Sequence, residues 1–409
     1  MGRLGPLGSA AFRAFWGARA VSLFGDRIAA VALVLAVYQR EGSGVAVGLL
    51  LLAEVAPQFF GPLAGAVADR ADHRRLMIGC DLGRCLIFGA IALAFPPFPA
   101  LLALILAAGI LSTLFSPAGR STVPALVGPA ELASANAVLG SALNVSIAVG
   151  PAIGGIAVAA FGARVALALD ALSFLLSALL VTRLPRGVRA TGGGPAERRL
   201  LGEARAGLAY LVRHPTARAV ALGLFLVVVF GGVDNVALVF LARDTLRTGD
   251  AGYGLLAAAY GVGMVLAPLA VFHPRLRAAP AALKLAGVGL FGAGTALTGL
   301  APTVGVALAC QALGGVGNGL ENVADDTLIG QTVPAEMLGR VFGITYSGVA
   351  IASGLAYAVG GPLLALLSPR AIFVAAGVGV LVSLAVIWVL LPRSAAPVGG
   401  AGRPQPGRT

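Results

Sequence analysis

Residues 61–75 read GPLAGAVADRADHRR. An apolar run ends at Ala68 and turns at once into Asp69-Arg70 and Asp72-His73-Arg74-Arg75, before a second apolar run starts at Leu76. Segments of about 20 apolar residues on each side are long enough to cross a bilayer. Three arginines in so short a turn place it on the cytoplasmic face, where basic loops are retained. Gly65 is expected to let a neighbouring helix backbone come close. Asp69 stands at a helix end, where a carboxylate can hold an arginine or cap another helix's free N–H groups. The stretch predicts two membrane spans joined by a tight, charged turn.

Composition extends that reading to the whole chain. Of 409 residues, 58% are hydrophobic and only 11% charged, with a mean hydropathy of +0.93. A soluble chain carries about a quarter charged residues, so a polytopic membrane protein is expected. The net charge of +12 does not indicate nucleic acid, because the arginines fall between apolar spans and not on one soluble face. Lys284 is the only lysine and reads as a matter of composition alone. Cys80, Cys85 and Cys310 sit inside apolar runs without metal or CxxC spacing and read as packing residues.

In chain order, spans are expected near 14–38, 45–68, 76–95, 100–117, 133–161 and 163–181. Six more follow near 219–242, 252–272, 281–300, 303–329, 340–367 and 370–391. Pro96-Pro97-Phe98-Pro99 breaks the chain between the third and fourth, and a polar stretch from Arg120 to Glu131 is read as loop. Residues 1–182 and 219–392 form the two six-span units. The basic segment 183–218 is the joint between them, with Gly192-Gly193-Gly194-Pro195 as linker and then an amphipathic surface helix able to meet anionic lipid. Residues 393–409 read as a disordered tail. With both termini in the cytoplasm the arginine-rich loops also lie inside, leaving outside only Arg40, Arg164, Arg243, Arg247 and Arg370. A reporter fused after Arg199 is therefore expected to be cytoplasmic and one after Asp250 external. Finding both on one side would overturn the twelve-span map.

The units repeat. Pro129-Ala130-Glu131-Leu132 recurs as Pro334-Ala335-Glu336-Met337, 205 positions on, and Gly154-Gly155 recurs as Gly360-Gly361, 206 on. The charged turn does not recur: Pro274 stands where Asp69 should, near His273, Arg275 and Arg277.

Gly65-x-x-x-Asp69-Arg70 with Arg74 and Arg75, set between the second and third spans, resembles the cytoplasmic loop motif of major facilitator superfamily transporters. Asp72 stands where that motif has glycine, which implies a looser turn. The fifth span carries Gly150-Pro151-Ala152-Ile153-Gly154-Gly155, which resembles the antiporter motif of drug-exporting members; Ala142 and Ser146 precede it where relatives often have glycine. Residues 15–26, 118–136, 170–174 and 318–340 are similar to the macrolide-efflux and enterobactin-exporter branch. The resemblance implies an all-α integral membrane protein with twelve helices in two pseudo-symmetric six-helix bundles. It implies a monomer in the cytoplasmic membrane that exports an amphipathic drug, antibiotic or siderophore by alternating access, in exchange for protons and with no cofactor. It also implies an inner gate in which Asp69 engages Arg120 and lies near Gly339 and Arg340.

Charges within spans are costly and point to function. Asp26, Glu54, Asp234 and Glu321 are the candidate proton carriers. The alternative for Asp26 is pairing with Arg19 or Arg27, and for Glu54 a structural helix–helix bond. Asp325 and Asp326 read as gate or capping residues, and Asp81 with Arg84 as a local ion network. Asn144, Asn235, Tyr260, Gln311, Asn318 and Asn322 are candidates for a substrate cavity. Gly287-x-Gly289-x-x-Gly292 lies inside a span with no strand before it and reads as helix packing. His73, His214 and His273 fall in basic turns and read as solvated. An importer or lipid translocator of the same fold, or a non-transporting receptor, remains the alternative.

Overall fold

The structure, a computed structural model, describes residues 5–185, 196–272 and 279–392. The linker at 192–195, the region around Pro274 and the tail from residue 393 lie outside the described residues. Helices α1 (Ala10–Glu41), α2 (Gly44–Val55), α3 (Gly61–Arg70), α4 (His73–Ala94), α5 (Phe98–Leu126), α6 (Leu132–Phe161) and α7 (Ala163–Val181) build the first unit. After the surface helix α8 (Ala196–Arg213) come α9 (Pro215–Gly231), α10 (Asp234–Phe240), α11 (Gly249–Leu266), α12 (Pro280–Leu300), α13 (Val304–Thr332), α14 (Ala335–Leu366) and α15 (Pro369–Leu390).

Local chemistry sets several boundaries. Ser9 accepts the Phe12 N–H at 3.3 Å to begin α1, and Gly42 ends it at φ +58°, a left-handed turn that glycine adopts without strain. Asp72 accepts the Arg75 N–H at 2.9 Å to begin α4. Its φ is −69°, so the position asks for a cap and not for glycine, and the turn is pinned where the sequence implied looseness. The second span is α2 and α3 together, bent by 60° through the tight turn Ala56–Phe60, where Pro57 withholds a backbone donor. The seventh is α9 and α10 with a π turn, Leu241–Thr245, at its end.

Among the described residues ten helices are long and apolar enough to cross a membrane, and the bent α2–α3 pair makes an eleventh. Helix α13 is as long as its neighbours but is not among them: Gln311, Asn318, Glu321, Asn322, Asp325 and Asp326 dilute its apolar character. It packs between α12 and α11. The expected end of the fourth span at Pro117 is corrected: α5 runs to Leu126, making Arg120 helical. Membrane helices tolerate such prolines because neighbouring groups satisfy the freed carbonyls. Helix α8 is docked, with Gly207 against Arg340 and Ile344, and the Tyr210 hydroxyl donating to the Thr332 carbonyl at 3.0 Å.

Candidate functional site: a charged cavity closed at one end

The two units meet at the end opposite the arginine-rich loops. Pro151 lacks an N–H, so the Ile147 carbonyl one turn earlier has no donor within its own helix. Gly261 of α11 abuts that oxygen so closely that a Cβ would lie 2.3 Å from it. Nearby, a Cβ on Gly155 would lie 2.9 Å from Gly254 Cα, and one on Gly254 would lie 2.3 Å from the Pro151 carbonyl oxygen. The repeated pair behaves alike: a Cβ on Gly361 would lie 2.6 Å from Val45 Cα, and one on Gly48 would lie 2.5 Å from the Tyr357 carbonyl oxygen. Backbone thus lies on backbone at α6–α11 and at α14–α2. The same motif packs inward on α1, Gly150 against Arg27 and Gly154 against Ile28 and Val31. A polar latch lies beside it: the Tyr38 hydroxyl donates to Asp244, and the Gln39 amide donates to Asp250 at 3.3 Å. Arg243 pairs with Asp250.

At the arginine-rich end the arrangement reverses. Around the positions where Gly61 and Gly65 of α3, and Gly339 and Gly343 of α14, would carry a Cβ there is no neighbour within 4 Å among the described residues. The expected close approach at Gly65 is therefore absent from this structure. Asp69 and Arg70 are exposed, and Asp69 has no hydrogen bond or ion pair among the described residues. It does not engage Arg120, whose guanidinium donates to Ser116 at 3.1 Å. Of the other gate candidates, Arg74 donates to the Thr182 carbonyl, Arg75 is exposed, and Arg340 reaches the Met337 sulfur at 3.4 Å.

Between these ends lies a cavity of about 790 Å³, within the range of roughly 300–1,000 Å³ typical of small-molecule sites. Its wall on α1 carries Arg19, Asp26, Arg27 and Leu33, at helical spacing on one face. Helix α5 contributes Ile105, Ser112, Ser116 and Arg120, and α14 adds Tyr346 and Ser347. Glu54 and Gln58 enter from the bent second span, and Arg84 and Phe88 from α4. Two of the four acidic candidates, Asp26 and Glu54, thus share one space. Asp26 pairs with Arg84, and not with Arg19 or Arg27 as in the alternative given above, and the Arg84 guanidinium lies 3.8 Å from the centre of the Phe174 ring. Behind this wall Asp81 accepts from Ser177 at 2.6 Å and Asp170 from Ser173 at 3.1 Å. Gly25 makes room for that corner, since a Cβ there would lie 2.4 Å from the Asp170 carboxylate.

The other candidates lie elsewhere. Asp234 accepts from Asn235 at 3.0 Å beside the break between α9 and α10. Asn318 and Asn322 pair with each other at 3.1 Å, Tyr260 packs edge-on against Phe291, Gln311 is buried and Asn144 is exposed, and none of them lines the cavity. Glu321 is not a cavity residue either. It is fully buried with Asp325 around Lys284, whose ammonium donates to Glu321 at 3.2 Å and to Asp325 at 2.6 Å. Asp325 is therefore part of a buried triad and not a cap, while Asp326 accepts from the Tyr346 hydroxyl at 3.3 Å. His73, read as solvated, is 1% exposed.

The chain from residue 1 to 313 matches the family of transmembrane secretion effectors. It belongs to that family, within the major facilitator superfamily. Among relatives, the MFS-type transporter YfiS of Bacillus subtilis is 29% identical over 359 residues, 84% of each chain. The enterobactin exporter EntS of Escherichia coli is 28% identical over 387 residues, 91% of this chain and 89% of EntS. Macrolide efflux protein A of Streptococcus pyogenes is 24% identical over 358 residues, 83% of this chain and 86% of that protein. The fold matches the crystal structure of the nucleoside transporter NupG with a TM-score of 0.77 at 12% identity, covering 93% of this chain and 98% of NupG. It also matches an inward-facing, unoccupied bacterial homologue of the lysosomal transporter Spinster, with a TM-score of 0.67 at 16% identity, covering 93% and 94%. The family and these relatives are membrane transporters, not enzymes. This transporter is a multi-pass membrane protein of the same kind.

Proposed function

We propose that the transporter exports amphipathic small molecules (a drug, an antibiotic or a siderophore) from the cytoplasm by alternating access, in exchange for protons. The observation that carries the reading is the glycine contact of α6 on α11, matched by α14 on α2, which seals one end of the cavity while the other stays open. With the arginine-rich loops in the cytoplasm, the seal lies outside and the cavity faces inward. Two of the relatives are, by name, an enterobactin exporter and a macrolide efflux protein. Asp26 and Glu54 in the cavity are the proposed coupling groups, with lipids as the surrounding solvent and a monomer as the working unit.

The test is an accumulation panel of amphipathic antibiotics and siderophores in an efflux-deficient host. At least one compound is expected to accumulate several-fold less in cells with the wild-type chain. Gly155→Val, which would push a side chain into the Gly254 backbone, is expected to abolish that difference while the protein still reaches the membrane. Greater accumulation with the wild type would instead mark an importer.

A further inference from the structure

From the cavity's chemistry we infer that it selects an anionic amphiphile: a molecule with an apolar body and an acidic group, carboxylate or phosphate. The inference rests on the reading of this cavity as the substrate site. The wall carries four arginines, Arg19, Arg27, Arg84 and Arg120, against two carboxylates, Asp26 and Glu54. Only Arg84 has a carboxylate within 4 Å among the described residues. Arg19 lies over the Phe115 ring at 5.3 Å, Arg120 donates only to a serine hydroxyl, and Arg27 Nε is buried without an acceptor. Asp81 and Asp170 are fully buried behind the wall, held by serine hydroxyls, and present no acceptor to the cavity.

An arginine has five N–H donors in a planar fork and stays protonated. Three such forks facing one membrane-embedded space without a carboxylate each make an unmet demand for acceptors. An acidic group supplies two or three oxygens in the geometry the forks match. An ammonium offers only further donors, and of the wall's groups only Glu54 is a carboxylate without an ion pair to meet it.

The wall also gives the ligand a direction. Arg19 and Leu33 are about 21 Å apart along α1 at 1.5 Å per residue. Arg19 and Arg120 stand at the open end, while Leu33, Phe88 and Ile105 stand toward the seal. The acidic group is thus held at the arginine end with the apolar body pointing at the closed end. A lipid headgroup and a soluble acid share this chemistry.

The experiment uses full-length transporter in phosphatidylcholine nanodiscs and three probes with one apolar body: N-dansyl-11-aminoundecanoic acid, its primary amide, and dansyl-undecanediamine as the cation. The acid is expected to bind at least about 10-fold tighter than the amide, the factor that charge-assisted hydrogen bonds give. The cation is expected to bind weakest. Arg27→Gln and Arg120→Gln should bring the acid-to-amide ratio toward one, and Arg120→Lys should restore part of it, which separates charge from misfolding. Repeating the titration in phosphatidylglycerol nanodiscs identifies the source: weaker acid binding there assigns the site to an anionic headgroup, and unchanged binding assigns it to a soluble acid. Equal binding of acid and amide, or a ratio that survives all the arginine variants, overturns the inference. Tighter binding of the cation also overturns it but leaves the exporter reading standing, since the cavity would then bind a basic drug.

Discussion

Lys284→Met is expected to destabilise the transporter by about 3–5 kcal/mol, the usual consequence of removing one partner from a buried ion pair. Lys284 is 0% exposed and bonds both Glu321 and Asp325, which are 0% and 3% exposed. Without the ammonium, two carboxylates one turn apart on α13 are left buried against α12, with Glu321 Oε2 and Asp325 Oδ2 already lacking hydrogen-bond partners. The measurement is thermal unfolding of purified protein in detergent micelles. The triple variant Lys284→Met, Glu321→Gln, Asp325→Asn should recover most of the loss, because no unpaired charge is then buried. A single variant as stable as the wild type would show that the triad contributes nothing to holding α12 on α13.

Glu54→Gln is expected to abolish transport driven by a pH gradient in proteoliposomes while leaving substrate counterflow intact. The side chain is exposed within the cavity, beside the bend of the second span, and makes no salt bridge among the described residues. Asp26, by contrast, is bound to Arg84. Glutamine keeps the shape and the hydrogen bonds but cannot gain or lose a proton, so exchange of substrate for substrate survives and uphill movement does not. Asp26→Asn should impair both, since it also frees Arg84. Uphill transport by Glu54→Gln would move the coupling role to Asp26 or Asp234.

The features legible in the sequence were those written in neighbouring residues. The turn at 69–75, the break at Pro96-Pro97, the glycines of the fifth span and the surface helix before residue 213 all declare themselves through local pattern. What escaped were the partners. Asp26 lies near Arg19 and Arg27 in sequence, yet its partner is Arg84, 58 residues away. Lys284 looked like an accident of composition because its carboxylates stand 37 and 41 residues further on. A lysine and two acids in apolar surroundings were visible, and the cost of leaving any of them unpaired was the signal that could have joined them. The Asp69–Arg120 contact is not made in this structure for another reason. It needs α3 and α14 to come together at the arginine-rich end, and here no described neighbour approaches Gly61, Gly65, Gly339 or Gly343.

The glycine seal divides the chain into positions that can change and positions that cannot. At 155, 254 and 361 anything larger than hydrogen meets main chain, and main chain cannot rotate aside as a side chain does. On the cavity wall, at Gln58, Ser112 or Tyr346, a new side chain enters open space. Adaptation to a new cargo is therefore cheap for this architecture and adaptation of its closure is not. A lineage of such proteins can diversify in what it carries while the way it shuts stays fixed.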